Sequence, residues 1–198
     1  MDSRKRIGIL GGSFNPVHIG HIMLASYLAQ FTDLDEIWLM LSPANPLKSD
    51  AEMASDSDRL SMLKSACRDY PYIYPCDIEL SMPRPSYTIN SLNRLAELHP
   101  DKEFHLIIGS DNWLIFDRWR DADKIIERFK PIIYPRPKFD VDASSLPDGV
   151  TLVNAPQIEI SSTFIRRSIS DGFDMAAFLH PEVYKQIKLS GLYITHIS

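Results

Sequence analysis

The chain has 198 residues, 44% hydrophobic and 24% charged, with a net charge of −5 at pH 7. That length fits one domain, and the apolar fraction suffices for a packed core without staples and excludes a disordered chain. The acidic balance argues against a protein that coats DNA or RNA, while leaving room for a local basic pocket.

Apolar runs of strand length alternate with helical patterns along the chain. The strand candidates are Arg6–Leu10, Glu36–Leu41, Tyr72–Leu80, Phe104–Ile108, Pro131–Tyr134 and Thr151–Asn154. Two of them, RIGIL and FHLII, are almost continuously apolar, as parallel strands covered on both faces are. Helices are expected at Ser57–Tyr70, with Ser55 and Asp58 as a capping pair and Leu60, Leu63, Cys67 and Tyr70 on one face. Others are expected at Asn90–Leu98, Ala122–Phe129 and Ser162–Ser170, the last stopping at Asp171-Gly172. The alternation predicts an α/β fold: a Rossmann-like, doubly wound, mainly parallel sheet with helices on both faces. A single domain over residues 1–198 is expected, with residues 173–198 a helical extension packed on it through residues such as Leu179, Val183, Ile187, Leu189, Leu192 and Tyr193. The long polar loop Pro135–Pro147 reads either as a mobile flap or as a surface excursion.

Cys67 and Cys76 are the two cysteines, without CxxC spacing, and are read as reduced thiols of a cytoplasmic protein. No signal-peptide pattern opens the chain. The longest greasy stretch, Ile22–Ala29, is far short of the ~20 residues of a membrane span.

The richest segment is GGSFNPVHIGH, Gly11–His21, between the first strand and the first helix. In an open parallel sheet, ligands bind in the crevice beyond the strand C-termini. Two glycines admit a ligand close to backbone, and a helix N-terminus offers free N–H groups to phosphate. His18 and His21, three apart, project from one side of the first turn and can donate to phosphate oxygens. No third metal ligand matches their spacing, so no protein metal site is expected; GxGxxG and GxxxxGK[ST] are also absent. A second pole is ISSTFIRR, Ile160–Arg167, where three hydroxyls precede a helix and Arg166 follows in its first turn.

With these two segments the chain resembles the HxGH nucleotidyltransferase superfamily. The motifs RLSML (Arg59–Leu63), SYTIN (Ser86–Asn90), IIGSDNW (Ile107–Trp113), FDRW (Phe116–Trp119) and YPRP (Tyr134–Pro137) look like its nicotinate-mononucleotide adenylyltransferase branch. The resemblance implies adenylyl transfer from ATP to nicotinate mononucleotide. It implies that His18, His21 and Arg166 are catalytic. It implies an ATP site of Gly12, Ser13, Phe14, Gly20, Lys48, Gly109, Asp111, Ser161, Ser162 and Thr163 with those three. It implies a mononucleotide site of Ser13, Phe14, Tyr87, Thr88, Trp119 and Arg136, with Trp119 stacked on the ring. Mg²⁺ held mainly by ATP phosphates is the implied cofactor. The implied partners are these two small molecules, with no nucleic acid or membrane, and a homo-oligomer is compatible with the pattern. The chain departs from that pattern at Asn15, where Asp is usual, and at Leu47, where a histidine is usual. Transfer to nicotinamide mononucleotide or phosphopantetheine, and a non-catalytic nucleotide-binding regulator, are the alternatives.

Overall fold

A computed structural model describes residues 4–43 and 53–194. The sequence positions Leu47 and Lys48 lie outside the described residues. The elements run β1 (Lys5–Gly12), α1 (Ile19–Phe31), β2 (Glu36–Leu41), α2 (Asp56–Cys67), β3 (Ile73–Cys76) and α3 (Thr88–Leu98). They continue with β4 (Lys102–Gly109), the one-turn α4 (Ser110–Trp113), α5 (Ala122–Phe129), β5 (Ile132–Tyr134), β6 (Thr151–Leu152), α6 (Ser162–Ser170) and α7 (Pro181–Ser190).

The strands form one parallel six-stranded sheet in the order β3-β2-β1-β4-β5-β6. Chain order therefore reverses between β1 and β4, the switch point that opens a crevice at the strand C-termini. Both faces are covered. Ile7 and Ile9 of β1 join Leu92 and Leu95 of α3 and Ile125 and Phe129 of α5 in one core. Leu10 points the other way, into a core with Ala25 and Leu28 of α1, Leu63 of α2, Ile165 of α6 and Val183 and Ile187 of α7. This period-2 division of strand side chains is what a sheet buried on both sides requires.

Most expected elements form within a residue or two of their expected ends. Ser55 caps α2, accepting from the Asp58 N–H at 3.0 Å, and Gly172 ends α6 at φ +84°. Three expectations need correction. The strand expected over Tyr72–Leu80 stops at Cys76, because β3, which among the described residues pairs with β2 alone, gives way to a 3₁₀ turn at Ile78–Ser81. In that turn the Leu80 N–H donates to the Asp77 carbonyl at 3.0 Å. In α2, which ends at Cys67 rather than Tyr70, the buried face is rotated to Arg59, Met62, Leu63, Ala66 and Cys67. In α7, Leu189 is 79% exposed while Val183 and Ile187 are buried. The Pro135–Pro147 loop carries a bridge between Arg136 and Phe139 and a 3₁₀ turn at Ala143–Ser145. Among the described residues, no helix is long and apolar enough to cross a membrane.

Candidate active site

The loop after β1 turns sharply before α1. Phe14 sits in the left-handed region at φ +43°, and the Asn15–Pro16 peptide is cis. A side chain other than glycine pays for positive φ in strain, and the surroundings hold Phe14 there. Its ring is 2% exposed and meets the His21 ring edge-on at 5.0 Å. The Asn15 side chain is buried, and its Oδ1 accepts from the Ala54 N–H at 3.1 Å and the Tyr193 hydroxyl at 2.7 Å.

His18 is the N-cap residue of α1, and its ring lies against that of His21 with centroids 3.7 Å apart. The His18 N–H donates to His21 Nδ1 at 3.2 Å. That bond leaves the Nε2–H of neutral His21 as its free donor. Nδ1 of His18 is buried without a hydrogen-bond partner among the described residues. Burial lowers the His18 pKa to about 4, with help from the Arg136 charge. Burial, then His18 and Arg136, hold His21 well below the usual histidine range. Both rings are therefore neutral donors in the free protein, poised for an anion that restores their basicity. Gly20 stands beside this pair. A Cβ there would come 3.0 Å from His18 Nδ1, so any larger residue would displace the ring.

Helix α6 brings the hydroxyl segment to the same place. Ser161 caps the helix, accepting from the Phe164 N–H at 3.1 Å, and Ser162 Oγ donates to the Pro16 carbonyl at 2.9 Å. Arg166 Nη1 donates to the Asn15 carbonyl at 3.0 Å. The two sequence poles, some 145 residues apart, are thus bonded to each other.

At the C-terminal rim of the sheet are two adjoining cavities. One, of about 270 Å³, is lined by His18, His21, Ser161, Ser162 and Arg136 among others. The second, of about 200 Å³, is lined by Thr88, Asn112, Trp119 and Glu79 among others. Leu10, Gly11, Gly12 and Tyr134 border both. Gly109, paired in register with Tyr134, lines the second. A Cβ on Gly109 would collide with Asp111 Oδ1 and crowd the Arg136 side chain, so glycine lets Asp111 and Arg136 approach to 3.8 Å.

Residues 9–168 match the cytidylyltransferase-like family. A relative from Bacteroides fragilis, described as a probable nicotinate-nucleotide adenylyltransferase, is 50% identical over 185 residues, covering 93% of this chain and 92% of its own. One from Flavobacterium johnsoniae with the same description is 40% identical, covering 95% of this chain and 98% of its own. The chain belongs to the nicotinate-nucleotide adenylyltransferase family. The solved Plasmodium falciparum nicotinic acid mononucleotide adenylyltransferase complexed with NaAD superposes with a TM-score of 0.77 at 25% identity, over 96% of this chain and 97% of that one.

The residues singled out in the sequence are distributed unevenly around these cavities. Gly12, Ser13, Phe14, His18, Gly20, His21, Ser161, Ser162 and Arg136 line the first, and Thr88 and Trp119 the second. Asp111 reaches the first only through Arg136. Thr163 is exposed, and Arg166 braces the loop from behind. Tyr87 is 39% exposed and lies outside both walls, its ring covered by Arg120 at 4.7 Å. Three site-building residues had no role in the sequence reading. Arg59, fully buried, donates to the Ser13, Ser42 and Ala54 carbonyls and pairs with Asp56, joining the loops after β1 and β2. Tyr134 borders both cavities, and Tyr193 returns from the C-terminal segment to hold Asn15. RLSML and YPRP mark the first two as motif members, and the sequence marks Tyr193 only as a packing residue of the C-terminal extension.

Proposed function

We propose that this protein joins ATP and nicotinate mononucleotide into nicotinate adenine dinucleotide, releasing pyrophosphate, as a step of NAD biosynthesis. The observation that carries the reading is the pair of cavities meeting at Gly11 and Gly12. One is lined by imidazoles, hydroxyls and an arginine, the other by an indole and polar groups. That is a plan for two nucleotides whose phosphates must meet over a glycine floor. The family relatives support the same reading.

The mononucleotide 5′-phosphate is already an oxyanion at neutral pH, so no general base is required. One of its oxygens bonds to the α-phosphorus of ATP, and the bond from that phosphorus to the bridging oxygen of pyrophosphate breaks. The protein's task is alignment and neutralisation of charge. His18 and His21 donate to the α-phosphate region. The hydroxyls of Ser161 and Thr163 and the backbone N–H groups at the start of α6, that of Ser162 among them, receive the polyphosphate, and Arg166 fixes the loop that carries the histidines. Gly12, Ser13 and Phe14 offer backbone to both nucleotides. Asp111, near Gly109, accepts from ribose hydroxyls, and Arg136 adds charge between the substrates. Thr88 and Trp119 hold the nicotinate ring, and Lys48 belongs to the ATP side.

Among the described residues no group of three or more His, Cys, Asp or Glu is placed to hold a metal. The donors of the first cavity suit an anion, which fits Mg²⁺ carried in by the phosphates and water rather than by a carboxylate cage. When bound, it neutralises the charge of the departing pyrophosphate. Localisation in the cytoplasm is part of this proposal.

The test is pyrophosphate release from ATP on addition of nicotinate mononucleotide, nicotinamide mononucleotide or phosphopantetheine. Release with the first, and far less with the others, is expected. Release with none of them would leave a nucleotide-binding regulator as the reading.

A further inference from the structure

The second cavity contains a group that the reading above does not use. Glu79 lies in the 3₁₀ turn after β3, is 5% exposed, and lines the wall with Thr88, Asn112 and Trp119. Its Oε1 accepts from Ser91 Oγ at 2.7 Å, and its Oε2 accepts a long bond from Ser86 Oγ at 3.5 Å. Among the described residues no Lys, Arg or His forms an ion pair with it. A carboxylate in such a place is expensive to desolvate unless a cation meets it. The two serine hydroxyls do not explain the charge, because a neutral amide would keep the short bond from Ser91 Oγ through its oxygen, at lower desolvation cost.

The proposed substrate supplies the missing cation. The ring nitrogen of a pyridine mononucleotide is bonded to the ribose carbon and carries a permanent positive charge. We propose that Glu79 is the fixed counter-charge for that pyridinium ring, and so a specificity-determining residue of the second cavity; this rests on the proposed function. The serines hold the carboxylate in place before the ligand arrives, so little ordering remains to be done on binding. Trp119 offers the ring a face, and Glu79 reads its charge. Glu79 selects pyridinium over neutral rings of the same shape. It does not select acid over amide, since both carry the ring cation.

The test compares nicotinate mononucleotide with an isostere whose ring carries no positive charge, the benzoate C-riboside 5′-phosphate, in which a ring carbon replaces the nitrogen. Binding of each to the wild-type protein is measured by calorimetry, and turnover of each with ATP by pyrophosphate release. The wild type is expected to prefer the pyridinium ligand by about 10- to 100-fold, the range of a charged contact made or lost. Glu79→Gln keeps an acceptor for Ser91 and is expected to lose most of that preference. Its KM for ATP and its melting temperature should stay near wild type. Equal loss for both ligands in Glu79→Gln would overturn the proposal and make the residue a brace for α3. Improved use of the pyridinium ligand by the variant would overturn it as well, since Glu79 would then be opposing the ring carboxylate. Equal wild-type affinity for the two ligands overturns it without any variant. Absence of turnover with nicotinate mononucleotide would instead sink the proposed function.

Discussion

His21 has its free donor fixed by a bond on the far side of the ring. The His18 N–H occupies Nδ1, so Nε2–H is the atom that remains for phosphate. Removing one preorganised donor of this kind costs about 10²–10³ in kcat. His21→Ala is expected to lose that much, with a much smaller rise in KM for ATP because the backbone N–H groups of the loop stay. Steady-state kinetics giving near wild-type kcat would refute the role. The depressed histidine pKa values also bear on stability. His18 titrates near 4 in the folded chain against about 6.5 unfolded, so between those values the unfolded state binds more protons. Stability is therefore complete above about pH 6.5 and is lost as pH falls toward 4, by up to about 3 kcal/mol from His18. His21 adds in the same direction. Denaturant unfolding from pH 7 to pH 4 should show this slope, and His18→Asn with His21→Asn should flatten it. The histidine pair was legible in sequence because its chemistry needs only a three-residue spacing. Glu79 and Tyr193 were not, because each matters through a contact made across the fold, Tyr193 with a residue 178 positions away.

Helix α6 shows how an element can be read correctly and its wiring missed. Its span, its serine cap and its glycine stop were all visible in ISSTFIRR and the DG that follows. What sequence did not reveal is that Ser162 and Arg166 are spent on carbonyls of the cis-proline loop, those of Pro16 and Asn15. Backbone carbonyls carry no sequence signature, so bonds to them are invisible until the fold brings them close. Arg166→Lys tests the wiring. Lysine keeps the charge but not the planar fork, and losing a charged hydrogen bond of this kind corresponds to roughly 10- to 100-fold in kcat/KM for ATP. Kinetics and melting temperature both matching wild type would make Arg166 a bystander. The strand that was misread, Tyr72–Leu80, failed for a related reason. Its apolar residues serve first a strand and then a 3₁₀ turn, and periodicity over nine residues does not separate the two.

At the scale of the molecule, the parallel doubly wound sheet was legible from the alternation of apolar strands and helices, and the site from where β1 ends. Substrate choice belongs to this scale too, because the second cavity is walled by β1, β4, α3 and the segment carrying Trp119. Trp119 packs against Phe116 at 5.1 Å, which sets the plane of its indole. Stacking on an aromatic face contributes about 1–3 kcal/mol. Trp119→Ala is expected to weaken nicotinate and nicotinamide mononucleotides alike, by roughly 5- to 150-fold in kcat/KM, with little change in their ratio. A changed ratio would mean that the indole itself distinguishes acid from amide. The preference for the acid is expected to rest instead on N–H donors near Thr88 and Trp119 that pair with the carboxylate oxygens.

The floor shared by the two cavities is glycine backbone, Gly11 and Gly12, with Tyr134 alongside. Under the proposed function, a dinucleotide product is expected to fill both compartments at once and to inherit the grip of each. It is expected to behave as a bisubstrate ligand, competing with ATP and with the mononucleotide and binding more tightly than either alone through the effective concentration its own linkage creates, which product-inhibition kinetics would check.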